Sequence, residues 1–217
     1  DVISKWSNNP DVPMTIIKNE VNLGLTKSLN RGLVYVNTDF MARMDSDDIC
    51  FPERFEKQIA QFEVNPMLEV LGGGIEEFYI EENETEFRKV RLYPKWTLAN
   101  SKTLYRGTPI AHPTLMMKTE ILKKIKYSET TKCNEDIDLW FRLLASEIKI
   151  KTLQEPVLHF RITDGTFNRR SAKKALNEFS IYSKNLHKLN GISVLQIIPF
   201  VRLISRFFPR NFNKKIY

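Results

Sequence analysis

Cysteine is scarce in this chain: Cys50 and Cys133 are the only two among 217 residues. Two thiols cannot build a disulfide framework, and no Cys/His spacing suits a zinc site, so the pair points to a reducing compartment. No signal-like apolar stretch opens the chain, and its first residue is Asp1 and not Met. The expectation is a fragment or processed product with something missing upstream. Internal repeats and low-complexity segments are absent. Glycines 72–74 are followed by no Lys-Ser/Thr pair, so a P-loop is not expected there, and the run reads as a place where other segments approach closely. What is present is ordinary globular composition, 42% apolar and 27% charged. The net charge of +7 is uneven. From Arg169 to Tyr217 there are eleven basic residues and one acidic, whereas the preceding 168 residues carry 22 basic and 25 acidic. A mildly acidic body with a basic tail suggests an anionic partner for the tail, lipid or nucleic acid.

Hydrophobic periodicity gives alternating short strands and helices. A β-like run is expected at 14–18 and a polar loop at 19–24. A helix over 25–36 would turn Leu25, Leu29, Leu33 and Val36 inward. A strand at 40–45 precedes a helix over 52–64 with Phe55, Ile59 and Phe62 on one face. Further strands are expected at 68–71 and 115–117, a hairpin over 76–91, and a strand pair over 148–160. Helices are expected at 97–105, 119–125, 135–144 and 168–189, with a terminal hydrophobic element over 192–212. The alternation argues α/β with a largely parallel sheet.

Two acidic clusters carry the candidate chemistry. In Met44-Asp45-Ser46-Asp47-Asp48, three carboxylates crowd the end of an apolar run. Carboxylates this close repel one another unless a cation sits among them or water surrounds them. In an extended segment Asp45 and Asp47 face the same side, so they suit a Mg²⁺ or Mn²⁺ ion shared with a substrate diphosphate. A solvated turn with Asp47 or Asp48 as N-cap of the next helix is the other reading. In Asn134-Glu135-Asp136-Ile137-Asp138-Leu139-Trp140, carboxylates gather at a helix start. Either they answer the helix dipole, or one of them is a general base for a sugar hydroxyl, with Trp140 one turn away as a stacking face.

Taken in order, these segments resemble the family-2 glycosyltransferases of GT-A fold. Asn22-Leu23-Gly24-Leu25 with Ser28-Leu29-Asn30-Arg31-Gly32 looks like the family's Asn-x-Gly pair. Asp45-Ser46-Asp47-Asp48 with Pro52-Glu53-Arg54-Phe55 resembles its DxD segment, and His112-Pro113-Thr114 with Lys118-Thr119-Glu120 its acceptor-side strand and helix. Glu135-Asp136-Ile137-Asp138-Leu139-Trp140 looks like its ED motif. The likeness covers about residues 14–165 and is nearest to bacterial members building exopolysaccharide, capsule or O-antigen.

The resemblance implies an α/β, GT-A nucleotide-sugar-binding fold with a mostly parallel central sheet, lacking its N-terminal strand or strands, plus C-terminal helices. It divides the chain into a catalytic domain, 1–165, and a basic helical region, 166–217. It implies inverting transfer from a UDP-sugar to a saccharide or lipid-linked saccharide acceptor, with Mn²⁺ or Mg²⁺ as cofactor. Asp136 would be the base and Glu135 would orient the acceptor. Asp45, Asp47, Asn22, Lys27 and Asn30 would hold the donor, and Asp45, Asp47 and His159 the metal. His112 and Trp140 would line the acceptor side. Because part of the donor pocket is expected to be missing, this chain is expected to be inactive while a longer form is active. The alternative is a non-catalytic sugar-nucleotide or partner-binding module. A nucleic-acid binder is disfavoured, since no recognition motif accompanies the basic groups.

In the tail, Phe200, Val201, Ile204, Phe207 and Phe208 share a helical face opposite Arg202, Arg206 and Arg210, with Lys214 and Lys215 beyond. The stretch is short for a membrane span of about 20 residues, and the pattern is that of an interfacial helix. A helix packed on the catalytic domain is the other reading. The expected location is cytoplasmic, peripheral at the inner face of the cell membrane.

Overall fold

The computed structural model describes residues 3, 7, 9, 11, 13–81, 84–98, 107–131, 133–163, 172–191 and 197–205. In chain order its elements are α1 (Leu25–Tyr35), β1 (Phe40–Ala42), β2 (Ile49–Cys50), α2 (Arg54–Val64), β3 (Val70–Glu81), β4 (Glu84–Arg91) and β5 (Trp96–Thr97). A 3₁₀ turn (His112–Thr114), β6 (Met116–Lys118), α3 (Thr119–Ile125), α4 (Glu135–Ala145), β7 (Ile150–Arg161), α5 (Ala172–Asn190) and α6 (Ile197–Ser205) follow.

The strands form one seven-stranded sheet whose central path runs β1-β6-β3-β7-β2. Two long strands carry it. β3 and β7 pair in parallel from Val70↔Ile150 to Phe78↔Arg161. On β3's other edge, β6 pairs with Val70–Leu71 and β4 with the residues from Ile75 on. On β7's outer edge lie β5, at Ile150–Lys151, and β2, at Leu158–His159.

The α/β layering is as expected, but parallel hydrogen bonding among the described residues is confined to β3 and β7. The remaining pairs are antiparallel. The reason is β6. It inserts between β1 and β3 against both, so β1, β3 and β7 share a direction while β1 and β3 do not touch. Among the described residues β3 and β7 are the adjacent parallel pair, and α3 and α4 lie on the crossover between them.

Strand alternation divides the core. Val70, Met117 and Ile150 point to one face, where Leu33, Leu122, Leu139, Leu143, Tyr182 and Leu186 bury them under α1, α3, α4 and α5. Leu71 and Met116 point to the other, where they meet Phe62 of α2, Leu153 and Val157. Successive side chains of a strand alternate faces, so one short strand feeds both layers. Tyr182 and Leu186 belong to the first layer, so α5 shares the main core, and Phe141 meets Tyr182 edge-on at 5.3 Å. The boundary expected at 165/166 falls outside the described residues.

Several expectations differ from the structure. Residues 14–18 form no regular element, and Met14 and Ile16 are exposed; the run has no ladder partner among the described residues, so it is not a strand. In α2, Phe62 and Ile59 face the core, but Phe55 is exposed and Arg54 and Gln58 are buried in its place. They go inward because they carry hydrogen bonds. Arg54 Nη2 donates to Arg43 O at 2.9 Å, and Gln58 Nε2 to Thr114 O at 2.9 Å. The strand pair over 148–160 is the single strand β7. Thr97 lies in β5, not a helix start, and the rest of that expected helix, 99–105, lies outside the described residues.

The three glycines lie within β3, where its register against β7 shifts. A Cβ on Gly72 would overlap Ile110, and one on Gly73 would overlap Val157. At Gly74 an added Cβ would meet Leu92 Cδ2 at 2.6 Å, which can shift, and two main-chain oxygens, Glu155 O at 2.9 Å and Arg91 O at 3.1 Å. Close approach is thus what this run provides. Gly74→Ala is expected to cost about 1–3 kcal/mol, since neither carbonyl belongs to a side chain that can swing aside. Urea unfolding with an unchanged midpoint would contradict this.

Candidate active site

The segment after β1, the middle of β3 and the carboxyl end of β7 line a cleft of about 960 Å³. Asp45, Ser46 and Asp47 line it together with Asn134, Glu135 and Asp136, and Arg43, His112 and Arg161 are part of the same lining. Two clusters 90 residues apart in sequence therefore share one cavity.

The acidic turn is built from below. Arg43 N donates to Leu115 O at 2.9 Å, and Arg54 holds the Arg43 carbonyl, so the end of the strand is pinned before the turn begins. The Arg43 guanidinium is ion-paired with Asp45. From the far side, Arg161 N donates to Asp48 Oδ1 at 2.9 Å and Arg161 Nε to Asp47 O at 2.8 Å. The Arg161 guanidinium lies over the Phe78 ring at 5.2 Å. The turn is thus strapped to the end of β7.

Ligand oxygens of Asp45, Asp47 and Asp48 lie within 4.8 Å of one another. Asp48 is buried, and its Oδ2 has no hydrogen-bond partner. Its carboxyl is pushed up to about 6, chiefly by burial and further by repulsion from Asp45 and Asp47, against the lowering effect of the Arg161 N–H. An orphaned buried carboxylate oxygen beside two others is a donor set that a hard divalent cation fits.

Asp136 starts α4 behind Asn134, which holds a left-handed conformation at φ 62° and ψ 39°. The turn aims Glu135 and Asp136 at the cleft. Asp138 is taken by Arg142, whose Nε donates to it at 2.7 Å while Nη1 donates to Ile125 O at 2.8 Å. Burial, then repulsion from Glu135, pushes the Asp136 carboxyl up to about 6. Such a group is ionised at neutral pH yet basic enough to accept a proton from an activated hydroxyl.

Other expected site residues lie elsewhere. Trp140 is 1% exposed within the main core. It has no open face for a sugar: on α4 it turns inward with Leu139 and Phe141, one helical turn from Asp136. His159 lies outside the carboxylate cluster and the cleft lining. Its ring stacks on Phe51 at 4.1 Å and approaches Phe87 at 5.0 Å, with Glu76 Oε2 3.1 Å from Nδ1. The reason is parity: Phe160 and its partner Glu77 face the cleft, so His159 and Glu76 face away.

Asn22 makes local turn chemistry, its Oδ1 accepting from Gly24 N at 2.9 Å, and Gly24 has the positive φ (77°) that the turn into α1 uses. Asn30 ties α1 to the loop after α3: its Nδ2 donates to Tyr127 O at 2.9 Å, and Tyr127 N donates to its Oδ1 at 2.9 Å. Lys27 and Asn30 line a separate depression on α1 with Lys123 and Lys126. His112 does line the cleft.

Sequence reasoning missed Arg43, Glu77, Arg91 and Tyr93. Arg43 had a signal, since it alternates with Asp45 and Asp47 along an extended segment. Glu77 and Arg91 form an ion pair across the β3–β4 hairpin and, with Tyr93, line the cleft. Only the pairing register reveals that contact. Burial pushes the Tyr93 hydroxyl up to about 12, so it remains a protonated donor.

Residues 1–126 match the profile of glycosyl transferase family 2. An uncharacterized glycosyltransferase of Haemophilus influenzae is 31% identical over 95% of this chain and 76% of its own length. The O-antigen biosynthesis glycosyltransferase WbnJ of Escherichia coli is 34% identical over 76% of this chain and 62% of its own. A third relative, the UDP-Gal:alpha-D-GlcNAc-diphosphoundecaprenol beta-1,3-galactosyltransferase of E. coli, is 27% identical over 91% of this chain and 72% of its own. Among solved structures, S. aureus TarS 1–349 superposes with a TM-score of 0.65 at 18% identity, covering 100% of this chain and 61% of TarS. The mannosyltransferase PcManGT of Pyrobaculum calidifontis, solved with GDP-Man and Mn²⁺, gives 0.60 at 11% identity over 94% of this chain and 55% of its own. At these identities the two structures establish the GT-A-like fold, and the chain spans about three fifths of their length.

Proposed function

This chain belongs to glycosyl transferase family 2, among relatives that build bacterial surface polysaccharide, and from that premise we propose an inverting transfer from a UDP-sugar to a hydroxyl of a saccharide or lipid-linked saccharide. The observation that carries the reading is the shared cleft, lined both by the acidic turn and by a carboxyl raised to about 6. The E. coli relative, a UDP-Gal:alpha-D-GlcNAc-diphosphoundecaprenol galactosyltransferase, supports the UDP donor and the lipid-diphosphate acceptor.

Asp136 takes the proton of the acceptor hydroxyl as its oxygen attacks the anomeric carbon. The bond to the donor phosphate breaks with its electron pair leaving on the diphosphate, so attack and departure lie on opposite faces and one base suffices. Asp45 and Asp47 would hold Mn²⁺ or Mg²⁺, which would stabilise the negative charge that the diphosphate gathers as it leaves. Arg43 fixes Asp45, and Arg161 fixes the Asp47 carbonyl, so the turn is organised before donor arrives. Glu135 orients the acceptor and, by repulsion, raises Asp136. A panel of UDP-sugars assayed with Mn²⁺ for UDP release by the longer form, extended at its N-terminus, tests the reading; no release from any sugar would overturn it.

The protonation state of Asp136 sets a pH dependence. Its proton must be gone for it to act as base, so kcat/KM is expected to rise with pH to about 6 and level above it. A profile flat from pH 5 to 7 would contradict this.

The tail reading is a peripheral attachment at the cytoplasmic membrane face. No helix among the described residues is long and apolar enough to cross a membrane. On α6, Ile197, Phe200, Val201 and Ile204 are all more than half exposed and recur at helical spacing on one side, while Ile198 packs against the core. An exposed apolar stripe in a basic stretch of sequence suits an anionic lipid surface. Phe207, Phe208, Arg206, Arg210, Lys214 and Lys215, and the Arg202 side chain, lie outside the described residues. Val201→Asp with Ile204→Asp is expected to release the protein from anionic vesicles in a sedimentation assay. Unchanged sedimentation would refute the attachment.

A further inference from the structure

His112 lines the cleft, yet the transfer chemistry gives it no task. Its backbone is held on several sides. Leu115 N donates to His112 O at 3.2 Å and Thr114 N to Ala111 O at 2.9 Å. Gly73 N donates to Thr114 Oγ1 at 3.1 Å, and Gln58 holds the Thr114 carbonyl. The ring is fixed too. Trp140 meets it edge-on at 5.7 Å, and Tyr127 lies tilted at 5.6 Å. His112 Nε2 and Tyr127 Oη are 2.8 Å apart, with the residues only 7% and 3% exposed.

Which atom carries the proton follows from the pair. Burial drives the Tyr127 hydroxyl well above its ordinary range, so it keeps its hydrogen. Burial, helped by the positive charge of Arg43, drives His112 well below its ordinary value, so the ring is neutral. A neutral ring has one N–H and one bare nitrogen. Among the described residues, Nε2 is the partner the structure gives the Tyr127 hydroxyl. If Nε2 carried the hydrogen, that hydroxyl would be a buried donor with nothing to bind, at a cost of about 1–3 kcal/mol. The hydroxyl therefore donates to Nε2, and the ring hydrogen sits on Nδ1. Nδ1 is not among the buried polar atoms that lack a partner, and His112 forms part of the cleft lining.

We propose that Tyr127 locks His112 in its neutral Nδ1–H form, presenting one fixed hydrogen-bond donor to a hydroxyl oxygen of a sugar held in the cleft. The sugar ligand rests on the transferase reading; the lock does not. A ring that stays neutral neither takes nor gives a proton during transfer. His112 is therefore a binding residue that orients sugar, and Tyr127 is a positioning residue acting through it.

Nitrogen-15 NMR of the imidazole in the substrate-free protein reads the lock directly. The expected result is a protonated Nδ1 and bare Nε2, unchanged from pH 5.5 to 8, with Tyr127→Phe moving hydrogen onto Nε2. Kinetics with the UDP-sugar found by the panel reads the ligand. His112→Asn places an amide N–H near the Nδ1 position and is expected to stay within about threefold of the parent in kcat/KM. His112→Gln, which places it near Nε2, is expected to lose about tenfold, chiefly through KM. An Nε2–H ring in the free protein overturns the lock, and equal losses in the Asn and Gln variants overturn the sugar contact. A locked ring in a protein that turns over no UDP-sugar would leave the lock standing and sink the transferase reading, so the two failures are distinguishable.

Discussion

Asp136→Asn is expected to lower sugar transfer by about 10²–10⁴-fold, the usual worth of a positioned general base. It should leave donor affinity within about twofold, since uniform binding and proton transfer are separate contributions. The substitution keeps shape and removes only the capacity to accept a proton. In the proposed mechanism Asp45 and Asp47, not Asp136, hold the donor, so UDP titrations of parent and variant should nearly superimpose. If turnover were undiminished, the proton would have to leave through another group. If the parent bound donor but transferred nothing, the chain would be a binding module.

The same variant carries a stability prediction with a definite sign. The Asp136 carboxyl titrates near 6 in the fold against 3.8 in its ordinary state. The folded protein therefore holds this proton more tightly than the unfolded chain does. Its contribution to stability falls as pH rises from about 4 to about 6, and the cost is complete above that. Asp136→Asn should then raise Tm relative to the parent at pH 7 to 8, with the gap closing toward pH 4. His112 acts oppositely in both proteins: it must charge on unfolding below about 6.5, so it cancels in the comparison. A Tm gap independent of pH would mean that burial does not govern Asp136. The site would thus trade stability for a poised base.

The second large effect belongs to the acidic turn. Asp47→Ala is expected to reduce Mn²⁺-supported turnover by about 10²–10³-fold, the scale for removing one preorganised electrostatic contact to a developing anion. Unlike Asp136→Asn, it should also weaken UDP binding in the presence of Mn²⁺. Asp47 is exposed and bears on its neighbours mainly through its main chain, since Arg161 uses its carbonyl and not its carboxylate. Folding should therefore survive, and circular dichroism and Tm close to the parent's would show that the loss is local. Asp47→Ala with unaltered Mn²⁺ dependence would remove this residue from the metal site.

Both acidic clusters were legible in the sequence because each is a dense local pattern at an element boundary. Helices α3 and α4 were legible because Leu122, Leu139 and Leu143 recur at helical spacing and reach the core. What failed depended on partners far along the chain. Parallel pairing was overestimated because the insertion of β6 between β1 and β3 leaves no mark in either segment. Phe55 was taken inward in preference to Arg54 and Gln58 because burial of polar side chains makes sense only once the carbonyls of Arg43 and Thr114 are placed beside them. Trp140 lies near enough to Asp136 in sequence for a stacking face, but it turns into the core, where its ring meets His112. His159 required the parity of β7, which the expected break into two strands concealed. The 14–18 run has strand-like composition and no ladder to join.

The most direct test of the central claim, that one base in one cleft drives displacement of a diphosphate, is proton NMR of the product formed from α-linked UDP-sugars with Mn²⁺ and a saccharide acceptor. The account predicts a β-linked product, with the anomeric coupling of inversion. An α-linked product would require a second nucleophile that the cleft does not assign, and would contradict the account.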